Sequence, residues 1–291
     1  MIVSCGEALV DVLPDGTVVP GGGPMNTAVA ASRLGVPAAF LGRVSLDADG
    51  DRIWEHLVAA GVSLDAAERG REPTARAVVT PEPAPTFRFE GDGTADTLLD
   101  RAEIGPLGPG PHLIHGGTLG IVRGRTADRL IELIQQHQGL VSFDPNIRPR
   151  IMGDRAAWSA RAEPWLARAD LVKASDEDLA WMGRSPADLL AGGAAVVLRT
   201  LGGDGAEAHL ADGAVVAVTA PTVEVVDTVG AGDSFAGAVL AALWRRGIVS
   251  RTELEGLGRR EWRDLIEFAV TVATITVGRP GADPPTRAEL G

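Results

Sequence analysis

The run Asp227-Thr-Val-Gly-Ala-Gly-Asp233-Ser-Phe-Ala-Gly237 places small residues and a carboxylate at the start of a helix. An apolar strand at 214–220 precedes it, and an Ala-rich helical pattern at 234–246 follows. A turn of Gly230, Ala231 and Gly232 lets backbone N–H groups approach a ligand closely. At a helix N-terminus those donors and the aligned peptide dipoles favour an anion. Asp233 then stands beside a bound phosphate, where it can accept a proton from an attacking hydroxyl. The chemistry described is phosphoryl transfer from a nucleotide to an alcohol. Read by itself, the string also fits a glycine-rich turn with an acidic helix cap.

Three further strings could meet a polar substrate. Gly21-Gly-Gly-Pro-Met-Asn26 opens an Ala-rich helix. Its glycines allow close backbone approach, and Asn26 offers a donor and an acceptor, although Asn also makes an ordinary helix cap. Asp11 follows the first strand, where a carboxylate is suited to accept from sugar hydroxyls. Asp144-Pro-Asn-Ile-Arg148 follows another strand and so lies at the carboxyl edge of a sheet, where ligands gather in open α/β folds. Asn146 and the planar fork of Arg148 could contact phosphate or acceptor there, though Pro and Asn also favour plain turns.

Taken in order and about 200 residues apart, the Gly21–Asn26 and Asp227–Gly237 strings resemble the two signatures of the PfkB family, the ribokinase-like carbohydrate kinases. The resemblance runs from Gly6 to Ala282. It implies that Asp233 is the catalytic base and that Gly230, Ala231 and Gly232 form an anion hole. It also implies that Asp11, Gly22, Gly23 and Asn26 hold the sugar. Arg199-Thr-Leu-Gly-Gly-Asp-Gly205 resembles the family's nucleotide turn, which assigns Thr200, Gly202 and Gly205 to ATP, with Val229 beside them. Lys173-Ala-Ser-Asp-Glu-Asp178 stands where relatives carry Asn-x-x-Glu. Ser175 and Asp178 depart from that pattern, with Ser175 on the nucleotide side and Asp178 reaching magnesium through water. Asp227 is the implied site of a monovalent cation such as potassium.

The lid strand Phe87-Arg-Phe-Glu90, running on to Thr94-Ala-Asp96, resembles that of fructokinase-like members and brings Phe89 to the substrate. Relatives acting on 2-keto-3-deoxygluconate carry Tyr and Arg in this region, whereas this chain has Glu90 and Gly91. A neutral ketose such as fructose is the expected acceptor. The sugar acid, ribose, a nucleoside, and a non-catalytic sugar sensor stand as alternatives. No Gly-x4-Gly-Lys-[Ser/Thr] loop or protein-kinase motif is present.

Composition narrows the class. A formal net charge of −12 without a basic cluster argues against nucleic-acid binding. Cys5 is the lone cysteine, so there is no intrachain disulfide, and its apolar strand suggests a buried structural thiol. The N-terminus lacks a signal-peptide pattern, and no segment reaches the ~20 apolar residues of a membrane span. The expectation is a soluble cytoplasmic protein.

Strands are expected at 1–8, 38–44, 112–115, 140–143, 171–174, 195–199 and 207–210. Helices are expected at 27–34, 49–60, 124–138, 156–169 and 261–277, with a Gly-rich turn at 18–24. Strands alternating with helices imply a largely parallel sheet covered on both faces. The reading is a single ribokinase-like α/β domain over 1–291, with a small β-sheet lid from about 11–19 and 72–99. Exposed lid edges suggest a homodimer through the lid.

Overall fold

The computed structural model describes residues 1–80 and 86–291. Its first strands are β1 (Ile2–Cys5), β2 (Leu9–Val12), β3 (Val18–Gly21), β4 (Ala38–Leu41), β5 (Arg43–Ser45), β6 (Glu68–Gly70), β7 (Arg76–Thr80) and β8 (Thr86–Glu90). There follow β9 (Leu113–Gly117), β10 (Val141–Asp144), β11 (Leu171–Ser175), β12 (Val196–Thr200), β13 (Ala206–Leu210) and β14 (Val215–Val218). The part of the expected lid segment 72–99 at 81–85 lies outside the described residues.

The large sheet has the order β14-β13-β12-β11-β10-β9-β1-β4. From β4 to β12 it is parallel, and β13 and β14 add an antiparallel edge. Residues of β1, β4, β9 and β10 are buried throughout, as strands covered on both faces must be. At the edge, Val215 and Ala217 of β14 face solvent while Val216 is buried. One face packs on helices Gly23–Arg33, Ala231–Arg245 and Arg259–Val277. The other packs on Gly124–Gln136 and Arg155–Arg168, where Trp165 stacks on Phe143. No helix among the described residues is long and apolar enough to cross a membrane.

The small sheet has the order β3-β2-β7-β8 and supplies the expected lid. Two expected elements are corrected here. The strand at 1–8 ends at Cys5; after Gly6 the chain leaves the large sheet, and Leu9–Val12 belongs to the small one. The strand at 38–44 divides likewise, with β5 pairing β6 in a separate two-stranded sheet. Both breaks fall at glycines that touch: a Cβ on Gly42 would lie 2.5 Å from the Gly6 carbonyl oxygen. Apolar residues continue across both glycines, so hydrophobic pattern alone hides the change of sheet. The turn at 18–24 contains β3, and the helix expected from Thr27 begins at Gly23 with Pro24 in its first turn.

The crossing of helices Gly23–Arg33 and Ala231–Arg245 positions the site. A Cβ on Gly237 would fall 2.7 Å from Ala30 Cβ and 2.9 Å from the Thr27 carbonyl oxygen. One turn back along each helix stand Asp233 and Asn26, and that close approach lets them bond. Gly237→Leu is expected to cost about 1–3 kcal/mol by overpacking. A lowered urea midpoint at unchanged slope would record it; an unmoved midpoint would refute this role for Gly237.

Candidate functional site

Strand order reverses at β1, because β4 and β9 lie on its opposite sides. Such a reversal opens a crevice at the carboxyl ends of the strands. Glu7, Thr118, Asp144 and Asn146 all lie just at or beyond the ends of β1, β9 and β10.

Glu7, Thr118 and Asn146 converge on Gly23. A Cβ there would lie 2.5 Å from Thr118 Oγ1, 3.2 Å from Asn146 Nδ2 and 3.3 Å from Asp233 Oδ1. Gly22, at φ 117°, backs onto the Glu7 carbonyl. Asp233 is 7% exposed. Its Oδ2 accepts from Asn26 Nδ2 at 2.8 Å, and Asn146 Nδ2 approaches Oδ1 at 3.4 Å. Burial pushes its carboxyl above the usual range, against Asn26, Lys173 and Arg148, which favour the carboxylate. A base with a raised pKa and one free face is suited to take a proton from a hydroxyl.

The turn before Asp233 has the geometry for an anion. Gly230 is left-handed at φ 74°, and a Cβ on it would collide with Ala282. The Ser234 N–H donates to the Gly230 carbonyl at 2.8 Å, and the Ala231 N–H to the Thr228 carbonyl at 3.3 Å. Among the described residues no acceptor serves the Gly230 or Gly232 N–H. Of the expected anion-hole donors, Ala231 is therefore the engaged one.

Asp11 sits on β2, and a Cβ on its neighbour Gly21 would collide with its carboxylate. Burial, with Asp233 adding to it, pushes Asp11 up to about 6, while Arg148 opposes. Arg148 is exposed at the crevice mouth, and its guanidinium donates to the Ile147 carbonyl at 3.2 Å.

Phe89 lies on β8, at the edge of the small sheet. Its ring lies 4.6 Å beneath the Arg123 guanidinium and lines a cleft of about 450 Å³ with Thr74, Arg76 and Glu90.

Of the residues expected to meet the nucleotide, Thr200 ends β12, and Gly202 (φ 57°) and Gly205 (φ 104°) bracket a short 3-10 turn. Val229, 47% exposed, lies across from them in sequence with Val223, Val225 and Val226, which also face solvent. Ser175 and Asp178 are committed to each other: Ser175 caps the helix Asp176–Met182 in a capping box. Asp178 accepts from the Ile147 N–H (2.7 Å) and from the Ser175 N–H (2.9 Å) and Oγ (2.6 Å). Asp227 accepts from the Val229 N–H at 3.0 Å and the Gly281 N–H at 2.9 Å, joining the two loops beside the anion turn. No group of three or more His, Cys, Asp or Glu arranged to hold a metal occurs among the described residues.

Three residues were not singled out by sequence reasoning. Glu7, 1% exposed, accepts from the Gly120 N–H at 2.7 Å and the Gly23 N–H at 3.3 Å, clamping the glycine turn to the sheet. Thr118 has φ 52° at the end of β9. Lys173 donates to Asp144 Oδ2 at 2.9 Å. A charge inside an apolar strand was the available signal for Lys173. Cys5 is buried, as expected, and its Sγ donates to the His115 carbonyl.

The profile of the pfkB family carbohydrate kinases matches residues 6–289. The fructokinase of Rhizobium leguminosarum bv. trifolii is 34% identical over 282 residues, spanning 91% of this chain and 86% of its own. A fructokinase structure from Xylella fastidiosa with bound ATP superposes with TM-score 0.88 at 27% identity, covering 97% of this chain and 93% of the other. A double mutant of the Vibrio cholerae O395 fructokinase, with fructose, ADP and potassium ion bound, gives TM-score 0.81 at 26% identity, over 97% and 93% of the two chains.

Burial raises Glu7 from 4.5 to about 8. The folded state therefore holds this proton more tightly than the unfolded chain. The contribution of Glu7 to stability falls as pH climbs from about 4.5 to about 8 and is level outside that window. Glu7→Gln is expected to flatten that part of the slope, read as urea midpoints at pH 5 and pH 9. Parallel slopes for the two proteins would count against a proton on Glu7.

Proposed function

Because the chain belongs to the pfkB family of carbohydrate kinases, we propose that it transfers the γ-phosphoryl group of ATP to the hydroxymethyl group of fructose or a similar ketose. The observation that carries this reading is the convergence of Asn26 and Asn146 on Asp233 beside the Gly23 backbone, next to the Gly230–Gly232 turn. A hydroxyl placed against Gly23 meets a base on one side and anion donors on the other, the arrangement in-line transfer requires.

In this mechanism Asp11 accepts from sugar hydroxyls while Gly22 and Gly23 let the sugar lie against backbone. Asn26 donates to Asp233 and so keeps one carboxylate oxygen directed at the acceptor. Asp233 takes the hydroxyl proton as the oxygen attacks phosphorus. The N–H groups of Gly230 and Gly232 stabilise charge on the transferring group. Arg148 closes the mouth of the crevice. ATP lies along the turns at Thr200–Gly205 and Asp227–Gly232. Asp178 would reach a phosphate-bound magnesium ion through water, and Asp227 would hold a potassium ion; the metal would offset charge on the phosphates. The small sheet serves as a lid that excludes water, and its exposed edges suit pairing of two copies. With ATP as donor, the proposed setting is the cytoplasm.

A neutral acceptor is favoured over a sugar acid, because the basic groups near the lid are already paired. Arg123 donates to the Gly91 carbonyl and pairs with Asp96 at 3.4 Å, and Arg88 pairs with Glu90 at 2.6 Å. The names of the relatives support fructose. An intact base and anion turn speak against a silent sensor.

ADP release from Mg-ATP is expected with fructose, and weakly or not at all with ribose, nucleosides or 2-keto-3-deoxygluconate. Turnover confined to another sugar would overturn the acceptor assignment. Asp233→Asn should lower kcat by about 10²–10⁴-fold, the usual range for a general base, with fructose KM little changed. Since burial raises the Asp233 pKa, wild-type turnover should climb with pH through a midpoint above that of an ordinary carboxylate. Near-normal turnover by Asp233→Asn would exclude it as the base.

A further inference from the structure

Lys173 is the lone lysine in the sequence. It lies in β11 between Val172 and Ala174, and its side chain is 6% exposed. Burying an ammonium is costly unless it is paired, and Asp144 pairs it at 2.9 Å. Pairing does not explain where it sits. Nζ also lies beside the first turn of the helix Ala231–Arg245: a Cβ on Gly232 would lie 3.0 Å from it. A helix N-terminus already carries positive partial charge, so a buried cation beside it is unfavourable unless an anion comes to the same place. Two like features are held together here.

Asp144 also links Lys173 to the base. Its Oδ1 accepts from the Asn146 N–H at 3.1 Å. Asn146 is held at φ 36°, a left-handed conformation, with its side-chain amide 3.4 Å from Asp233 Oδ1.

We propose that Lys173 is a positioning residue for phosphoryl transfer: it braces Asp144 against the first turn of the Ala231–Arg245 helix, sets the Asn146 amide toward Asp233, and supplies the cation behind the anion hole. The acceptor oxygen and the γ-phosphoryl group then meet in a space whose rear wall is positively charged before either arrives. The charged groups facing Nζ are Asp144 from β10, Asp178 from the helix Asp176–Met182 and Asp233 from the helix Ala231–Arg245. Burial works to lower the lysine pKa, but these carboxylates outweigh it and hold the ammonium above its ordinary value. Burial pushes Asp144 up to about 6, with Lys173 opposing. His115 of β9 also faces the ammonium; burial, aided by Lys173, lowers its pKa to about 3 and keeps it neutral.

This inference rests on Asp233 as the base. A merely structural lysine would be needed only to neutralise Asp144, so the pair should be removed together. In Lys173→Met/Asp144→Asn no buried charge is orphaned, and the carbonyl oxygen of the introduced amide can still accept from the Asn146 N–H. The expected result is a Tm near wild type, an unchanged fructose KM and a kcat lower by about 10²-fold, the size of losing one oxyanion-stabilising group. A double variant with wild-type kcat would overturn the proposal.

A second measurement needs no variant. With ¹⁵Nζ-labelled lysine the protein gives a single side-chain ammonium resonance. Magnesium plus the β,γ-imido analogue of ATP should shift it, whereas an unmoved resonance at saturating analogue would overturn the proposal. Failure of the base assignment would appear separately, as near-normal turnover by Asp233→Asn.

Discussion

The contact of two helices at Gly237 is the constraint on which the rest of the site depends. Helix Gly23–Arg33 carries the glycine turn and Asn26, and helix Ala231–Arg245 carries the anion turn and Asp233. Neither half can act alone. Only a residue without a side chain lets Thr27 and Ala30 come close enough for Asn26 to reach Asp233 across more than 200 residues of sequence. The hydroxyl of Ser4 adds a tie by donating to the Pro24 carbonyl at 2.7 Å, which holds the helix start to β1. The two glycine turns and their polar side chains are thus brought into register by backbone packing.

Electrostatics make the site expensive to fold and ready to act. Glu7, Asp11, Asp144 and Asp233 lie within one crevice, and burial raises the pKa of each. Such crowding is tolerable because each carboxyl has named donors or a cation: Gly23 and Gly120 for Glu7, Arg148 beside Asp11, Lys173 for Asp144, Asn26 for Asp233. An arrangement that strains stability for the sake of preorganised charge is the usual signature of a transfer site rather than a structural core.

Much of this was legible in the chain. Gly230, Gly232 and Asp233 announced a glycine turn with a carboxylate in the first turn of a helix, and the structure has that turn. Alternating strands and helices announced the parallel sheet. What pattern could not reveal was the change of partner at Gly6 and Gly42, since Val3-Ser-Cys and Leu9-Val10 look alike whichever sheet receives them. Glu7 and Thr118 escaped notice because their meaning lies in the backbone groups they meet, which come from distant segments. Ser175 and Asp178 show the opposite difficulty: a motif position can be filled by residues that bond first to each other.

The route from β1 to β2 has a mechanical consequence. Only Gly6, Glu7 and Ala8 separate a strand of the large sheet from a strand of the small one. Glu7, pinned by two backbone N–H groups, acts as a fulcrum, and Asp11 rides four residues out along the arm. At about 3.3 Å per residue that arm is roughly 13 Å long, so a tilt of about 10° would swing the Asp11 carboxylate by roughly 2 Å. That distance separates a hydrogen bond from none. The reach of the Asp11 carboxylate into the crevice is therefore geared to the angle between the two sheets, while Asp233 stays fixed on the large one's helices.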